Sequence, residues 1–125
     1  MPGTVAIVGA SMDRSKFGNK SVRAHARAGW RVYPVHPSAD AIEGWPAYAK
    51  VSAVPQQPLD RVSVYLPPAV VMAVLDDIAA NPPGELWLNP GADAPEVVAK
   101  ARSLGLNVIC SCSIVDVGCS PAEFP

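Results

Sequence analysis

The residues of this chain best suited to chemistry are small and basic. Gly9-Ala10-Ser11 is followed closely by Arg14, Lys16 and Asn19. Three small residues in series let an anion approach main-chain N–H groups. A helix starting behind them would aim its positive end at the same place. Arg14 and Lys16 add full charges to the loop. The pattern is that of a phosphate site, with Arg14 or Lys16 suited to an additional ribose phosphate. The dinucleotide fingerprint Gly-x-Gly-x-x-Gly is absent, and the loop is longer than that motif allows.

Three further stretches carry potential ligand contacts. Val35-His36-Pro37 stands where an NAD site would place an acid for the ribose hydroxyls. The missing acid counts against NAD and leaves NADP open. His36 is a candidate ligand contact in its own right. Leu66-Pro67-Pro68 begins a helical pattern, and Asn89-Pro90-Gly91-Ala92 reads as a turn with Gly91 at positive φ. Proline therefore falls at the ends of three consecutive strand-like runs. Leu66, Pro67, Pro90 and Gly91 should wall a rigid, apolar cleft with few side-chain donors.

Other reactive residues group poorly. His25 lies in a helical pattern with no acidic or cysteine neighbour beside it, which fits a packing or surface role. Cys110, Cys112 and Cys119 give three thiols, one short of the four ligands of a structural zinc site. Cys110 reads as a core residue and the other two as loop thiols. A Cys112 lying at the ligand end of the fifth strand would be able to meet a ligand thiol. No nucleophile–base pair and no carboxylate cluster appears in the ligand-facing loops, so no metal and no catalytic set is expected.

The elements that must position these loops alternate regularly. Apolar runs at Thr4–Val8, Arg31–Val35, Arg61–Leu66, Glu85–Leu88 and Asn107–Cys110 read as strands buried on both faces. Helical patterns at Ser21–Ala28, Ala69–Ala80 and Pro95–Leu104 separate most of them, and Asp93 with Glu96 reads as a capping box for the last. The stretch Ser38–Pro58 promises only a short extended piece at Trp45–Tyr48 and a turn or two of helix near Ala49–Val54. Ser120–Pro125 reads as a loose tail. Alternation of this kind predicts one α/β domain over residues 1–125. It should be three-layered, doubly wound and Rossmann-like, with a five-stranded, mostly parallel sheet. Ligands of such sheets bind beyond the carboxyl ends of the strands, where all four candidate stretches fall.

Composition bounds the function. The chain has 125 residues, half of them hydrophobic, 17% charged, with a formal net charge of −1. That excludes a disordered chain and argues against a nucleic-acid partner. No apolar run reaches the ~18 residues of a membrane span, and no signal peptide is apparent. An odd number of closely spaced cysteines fits a reducing cytoplasm.

Taken together, Val8-Gly9-Ala10-Ser11, Asn19, Val35-His36-Pro37, Leu66-Pro67-Pro68 and Trp87-Leu88-Asn89-Pro90-Gly91-Ala92 resemble the small CoA-binding proteins. Their domain is similar to the CoA-binding domain of the succinyl-CoA synthetase alpha subunit. The resemblance runs from about Thr4 to Ile114. It implies non-catalytic binding of coenzyme A or an acyl-CoA as the small-molecule partner. By the same resemblance Gly9, Ala10 and Ser11 lie near the ADP phosphates, Val35 and Pro37 beside the nucleotide, and Leu66 and Pro67 further along. The chain departs from the family pattern at His36, often Asn, and at Ser111-Cys112-Ser113, usually Asp-Arg-Cys. The other readings are a dehydrogenase-like enzyme using NADP or NAD and a scaffold with a vestigial pocket. A protein partner is open in each case.

Overall fold

The computed structural model describes residues 2–125. Five strands form one wholly parallel sheet: β1 (Thr4–Val8), β2 (Arg31–Val35), β5 (Arg61–Val64), β6 (Glu85–Leu88) and β7 (Val108–Cys110). Their spatial order is β2-β1-β5-β6-β7. The chain steps outward from β1 to β2, then crosses back to β5 and continues the other way. The order therefore reverses between β1 and β5, which opens a crevice at their carboxyl ends. A small antiparallel hairpin, β3 (Ala41–Ile42) and β4 (Trp45–Pro46), and a 3-10 turn at Val51–Ala53 fill the stretch the sequence left weakest. A parallel bridge from Val35 to Tyr48 lays this segment along the outer edge of β2.

Alternate residues of β1 serve the two faces, as a strand's period of two requires. Ala6 and Val8 pack with α2 (Pro68–Ala79) and α3 (Pro95–Ser103) through Val71, Leu75, Ile78 and Val97. Val5 and Ile7 pack with α1 (Phe17–Arg27) through Val22. The result is the three-layer Rossmann-like arrangement. A buried Leu or Ile is worth about 1.5–3 kcal/mol over its exposed state. Leu75, Ile78, Leu86 and Leu88, all fully buried, thus anchor the α2–α3 layer.

At the amino ends of the strands, opposite the crevice, the Arg61 guanidinium is stacked between Trp30 and Trp87 at 4.6 and 4.5 Å from the ring centres. Glu85 and Asp116 pair with it at 3.0 and 2.7 Å. Beneath Trp30 lies His25, fully buried, with Nδ1 2.9 Å from the Ser21 carbonyl.

Several sequence expectations need correction. Helix α1 begins at Phe17 rather than Ser21, because Gly18 and Asn19, poor helix formers by propensity, are held in its first turn by tertiary contacts. Asp93 does not cap α3. Pro95 at the first helical position puts Ala94 at the N-cap, and the Asp93 carboxylate instead accepts from Gly91 N–H at 3.2 Å. Cys110 is exposed rather than core, since β7 ends the sheet and nothing pairs beyond it. The tail is not loose. Ser120 and Glu123 form a capping box around a 3-10 turn at Pro121–Glu123, and Phe124 is buried against Ala24, Ile114 and helix α4 (Ser113–Asp116).

His25 gives the fold a definite acid sensitivity. Burial pushes its pKa down from 6.5 to about 4, and nearby Arg61 works the same way, against the Ser21 hydrogen bond and Asp116. The unfolded chain takes up this proton near pH 6.5, while the native state resists it until about pH 4. Stability is therefore full above pH 6.5 and falls as the pH drops through that window, by a total of about 3 kcal/mol at roughly 1.4 kcal/mol per unit. Denaturant midpoints between pH 7.5 and pH 4 measure it. His25→Gln should flatten the slope, and equal slopes in both proteins would contradict the assignment.

Candidate functional site

The crevice is built around one close crossing. Gly9 ends β1 at φ +89°, and a Cβ there would sit 2.6 Å from the Tyr65 carbonyl oxygen. A Cβ on Gly18 would overlap the Gly9 carbonyl oxygen. Gly18 thus lets α1 start directly behind the end of β1, and Gly9 lets that end lie against the chain after β5. The first-turn N–H groups of Phe17 and Gly18, and that of Ser11, find no acceptor among the described residues. They point a set of donors, backed by the helix dipole, at the crevice.

The loop between them is tied by its own polar groups. Asp13 N–H donates to Ser11 Oγ at 3.0 Å, and Ser15 donates to Asp13 Oδ1 through both N–H and hydroxyl. Those bonds hold the Asp13 carboxyl below the usual carboxylate range. Asn19, fully buried, donates through Nδ2 to the Ser11 carbonyl and to Glu43 Oε2, and accepts from Arg23 Nε. It shapes the loop from behind and does not line the crevice. Arg14 also turns away, with Nε 3.5 Å from Glu43 at the tip of the β3–β4 hairpin.

Two adjoining cavities occupy the crevice and share Gly9 and Leu66. The first, about 540 Å3, lies between the loop and the turn after β6, with Ser11, Lys16, Pro67, Pro90 and Gly91 on its walls. The second, about 400 Å3, lies between the ends of β1 and β2 and helix α2, with Ala10, Val35, His36 and Pro37 on its walls. The structure thus brings together eleven of the thirteen residues singled out from sequence and leaves Arg14 and Asn19 outside.

The walls are fixed by turns and buried polar bonds. Asn89-Pro90-Gly91-Ala92 closes through Ala92 N–H to the Asn89 carbonyl at 2.9 Å, with Gly91 at φ +100° as expected of a type II turn. Asn89 donates to Ser63 Oγ and the Val64 carbonyl, and accepts from Ser113 N–H. Ser113 Oγ is 2.6 Å from Ser63 Oγ and 2.8 Å from Tyr65 Oη. Burial raises the Tyr65 pKa, which keeps this network neutral. Asn89 and Ser113 were missed as site-building residues. Asn89 could be found as the polar residue directly after an apolar run, whereas Ser113 stands three residues beyond the next one, at the start of α4, and nothing local marks it. Cys112 packs with Ile114 and Phe124 and lines neither cavity, so its thiol does not face the crevice.

His36 is held by its own turn. Its Nδ1 accepts from Ser38 N–H at 3.1 Å and Ala39 N–H at 2.9 Å, the bonds an Asn oxygen makes in an Asx turn. The ring proton therefore sits on Nε2. Among the described residues no cluster of His, Cys, Asp and Glu is placed to hold a metal ion, and no helix is long and apolar enough to cross a membrane.

The Gly9–Gly18 crossing makes a sharp prediction. In an open helix Gly→Ala gains about 1 kcal/mol. Gly18→Ala should instead lose on the order of 1–3 kcal/mol, because backbone must shift to admit the methyl group. A raised denaturation midpoint would show that the crossing tolerates a side chain.

Comparison with known proteins places the chain. A family model described as a CoA binding domain matches residues 3–117. A conserved hypothetical protein from Pyrococcus furiosus is 28% identical with a TM-score of 0.82, over 93% of this chain and 99% of that one. The cell-free ID.343 structure from Thermus thermophilus is 29% identical with a TM-score of 0.83, over 92% and 87%. A dinucleotide forming acetyl-coenzyme A synthetase 1 from Ca. Korarchaeum cryptofilum, in complex with phosphate and ADP, is 32% identical with a TM-score of 0.76. It is matched over 88% of this chain and 26% of its own. With the family match spanning the whole sheet and both cavities, the chain belongs to the CoA-binding domain family.

Proposed function

We propose that the protein binds coenzyme A or an acyl-CoA across the carboxyl ends of β1, β2 and β5 and performs no chemistry of its own. The observation that carries this reading is the pair of adjoining cavities with unpaired N–H donors where they meet. An extended ligand with an anionic middle and two less polar arms fits that layout. The diphosphate lies at Gly9, Ala10 and Ser11 and the start of α1, with Lys16 beside it. The adenosine enters the second cavity between Val35, Pro37 and Leu66, and the Nε2–H of His36 faces it. The pantetheine arm runs through the first cavity past Pro67, Pro90 and Gly91. Asn19 holds the loop in shape, and Arg14, paired with Glu43, stands outside both cavities.

The proposed mode of binding resembles that expected of the CoA-binding domain of the succinyl-CoA synthetase alpha subunit. The cavity walls are mainly backbone, proline and aliphatic side chains, which supports holding a ligand rather than transforming it. Three unpaired thiols support a reducing, cytoplasmic setting.

A ligand that binds only the native state stabilises it by about 2.7 kcal/mol at 100 times its dissociation constant. Thermal unfolding should therefore shift upward with CoA and with acetyl-CoA, and little with NAD. An NAD shift equal to the CoA shift would replace this reading with a dehydrogenase-like one.

A further inference from the structure

The second cavity has apolar walls at Val35, Pro37, Val51 and Val74, and three residues with polar side chains are among its lining: His36, Lys50 and Asp77. Two of the three are already engaged. His36 Nδ1 accepts from two backbone N–H groups, leaving only its Nε2–H. Asp77 Oδ2 accepts from Ser52 N–H at 3.1 Å. Lys50 makes no ion pair and no side-chain hydrogen bond among the described residues. Its neighbours in the chain form the backbone of the 3-10 turn, which it precedes without capping.

Topology fixes where this free cation stands. Tyr48 bridges Val35 in parallel, and His36 N–H donates to the Tyr48 carbonyl at 2.9 Å. Ala49 and Lys50 therefore run on beside His36 and Pro37, one strand position outside β2. In doubly wound folds the region beyond β2 meets the ribose, where an acid binds free hydroxyls and a base accommodates a ribose phosphate. Here the sequence supplies no acid after β2, and the fold supplies a lysine from fifteen residues further along. Neither cation of the first loop fills that place, since Arg14 is turned to Glu43 and Lys16 lines the other cavity.

We infer that Lys50 reads a phosphate on the ribose of the bound nucleotide and so selects CoA over dephospho-CoA. The inference rests on the CoA reading above and adds to it the residue that sets nucleotide specificity. The same chemistry would accept the ribose phosphate of NADP, so both sources enter the test. Lys50 is exposed and its removal leaves no buried partner unsatisfied, so the variants should fold normally.

Calorimetric titration of wild type, Lys50→Ala, Lys50→Arg and Arg14→Ala with CoA, dephospho-CoA and NADP decides the matter. A charge-assisted phosphate contact of about 1.4 kcal/mol corresponds to about a tenfold change in affinity. Lys50→Ala should therefore weaken CoA about tenfold and leave dephospho-CoA unchanged, while Lys50→Arg restores the preference. Equal losses for both ligands, an unchanged preference, or a preference lost only in Arg14→Ala would overturn the role of Lys50 while leaving CoA binding intact. Wild-type protein that binds NADP more tightly than CoA, or that binds no CoA, would overturn the underlying reading and the inference with it.

Discussion

The contact on which the site depends is the approach of the Gly18 backbone to the Gly9 carbonyl. Helix α1 can begin immediately behind β1 only because Gly18 carries no side chain, while the bare Gly9 lets β1 end beside the Tyr65 carbonyl. That position aims the first-turn N–H groups of α1 along the sheet edge and brings the small residues Ala10 and Ser11 up beside them. It also commits the chain to the loop between them, whose length is taken up by the Ser11–Asp13–Ser15 bonds. The donor set is thus built from main chain, and its precision comes from sterics rather than from charged side chains. A backbone site of this kind suits an anion.

Charge in this nearly neutral chain is distributed by pairing. Arg61 is enclosed by two tryptophans and two carboxylates at the far end of the sheet, where it ties β5, β6 and α4 together. Its Nε and Nη2 are paired while Nη1 has no hydrogen-bond partner, and removing either carboxylate would leave the buried charge still less compensated. Arg14 is offset by Glu43, which lies on a hairpin tip at φ +50°. The cations left at the crevice are lysines, long and mobile enough to follow a ligand's phosphates.

Much of this layout was legible in the sequence because it rests on local rules. The continuous apolar runs announced strands buried on both faces, and their alternation with helical patterns implied the parallel sheet. Gly9-Ala10-Ser11 and Pro90-Gly91 could be read because their backbone conformations need small residues. What escaped was decided by contacts between distant segments. Asn19 and Gly18 are unpromising helix residues until Ser11 and Gly9 are set against them. Arg14 looks like a ligand residue until a hairpin twenty-nine positions later presents Glu43. Lys50 sits in a stretch with no periodicity at all, and only the bridge from Tyr48 to Val35 carries it to the second cavity. Phe124 seemed to close a loose tail because nothing nearby in sequence reveals the Ala24–Ile114 surface it covers.

The tail has one more significance. A single guanidinium, that of Arg23, donates to Asn19 Oδ1, to the Arg14 carbonyl and to the Phe124 carbonyl, and stacks over the Phe124 ring. The residues after the family-matched segment are therefore mechanically joined to the loop that would hold the ligand's phosphates. For protein engineering this makes the carboxyl terminus a poor place for an inert tag and a good one for a reporter. A fluorophore or a split-enzyme half attached there would share a side chain with the loop, so that changes at the loop reach the label through one arginine rather than through the body of the domain.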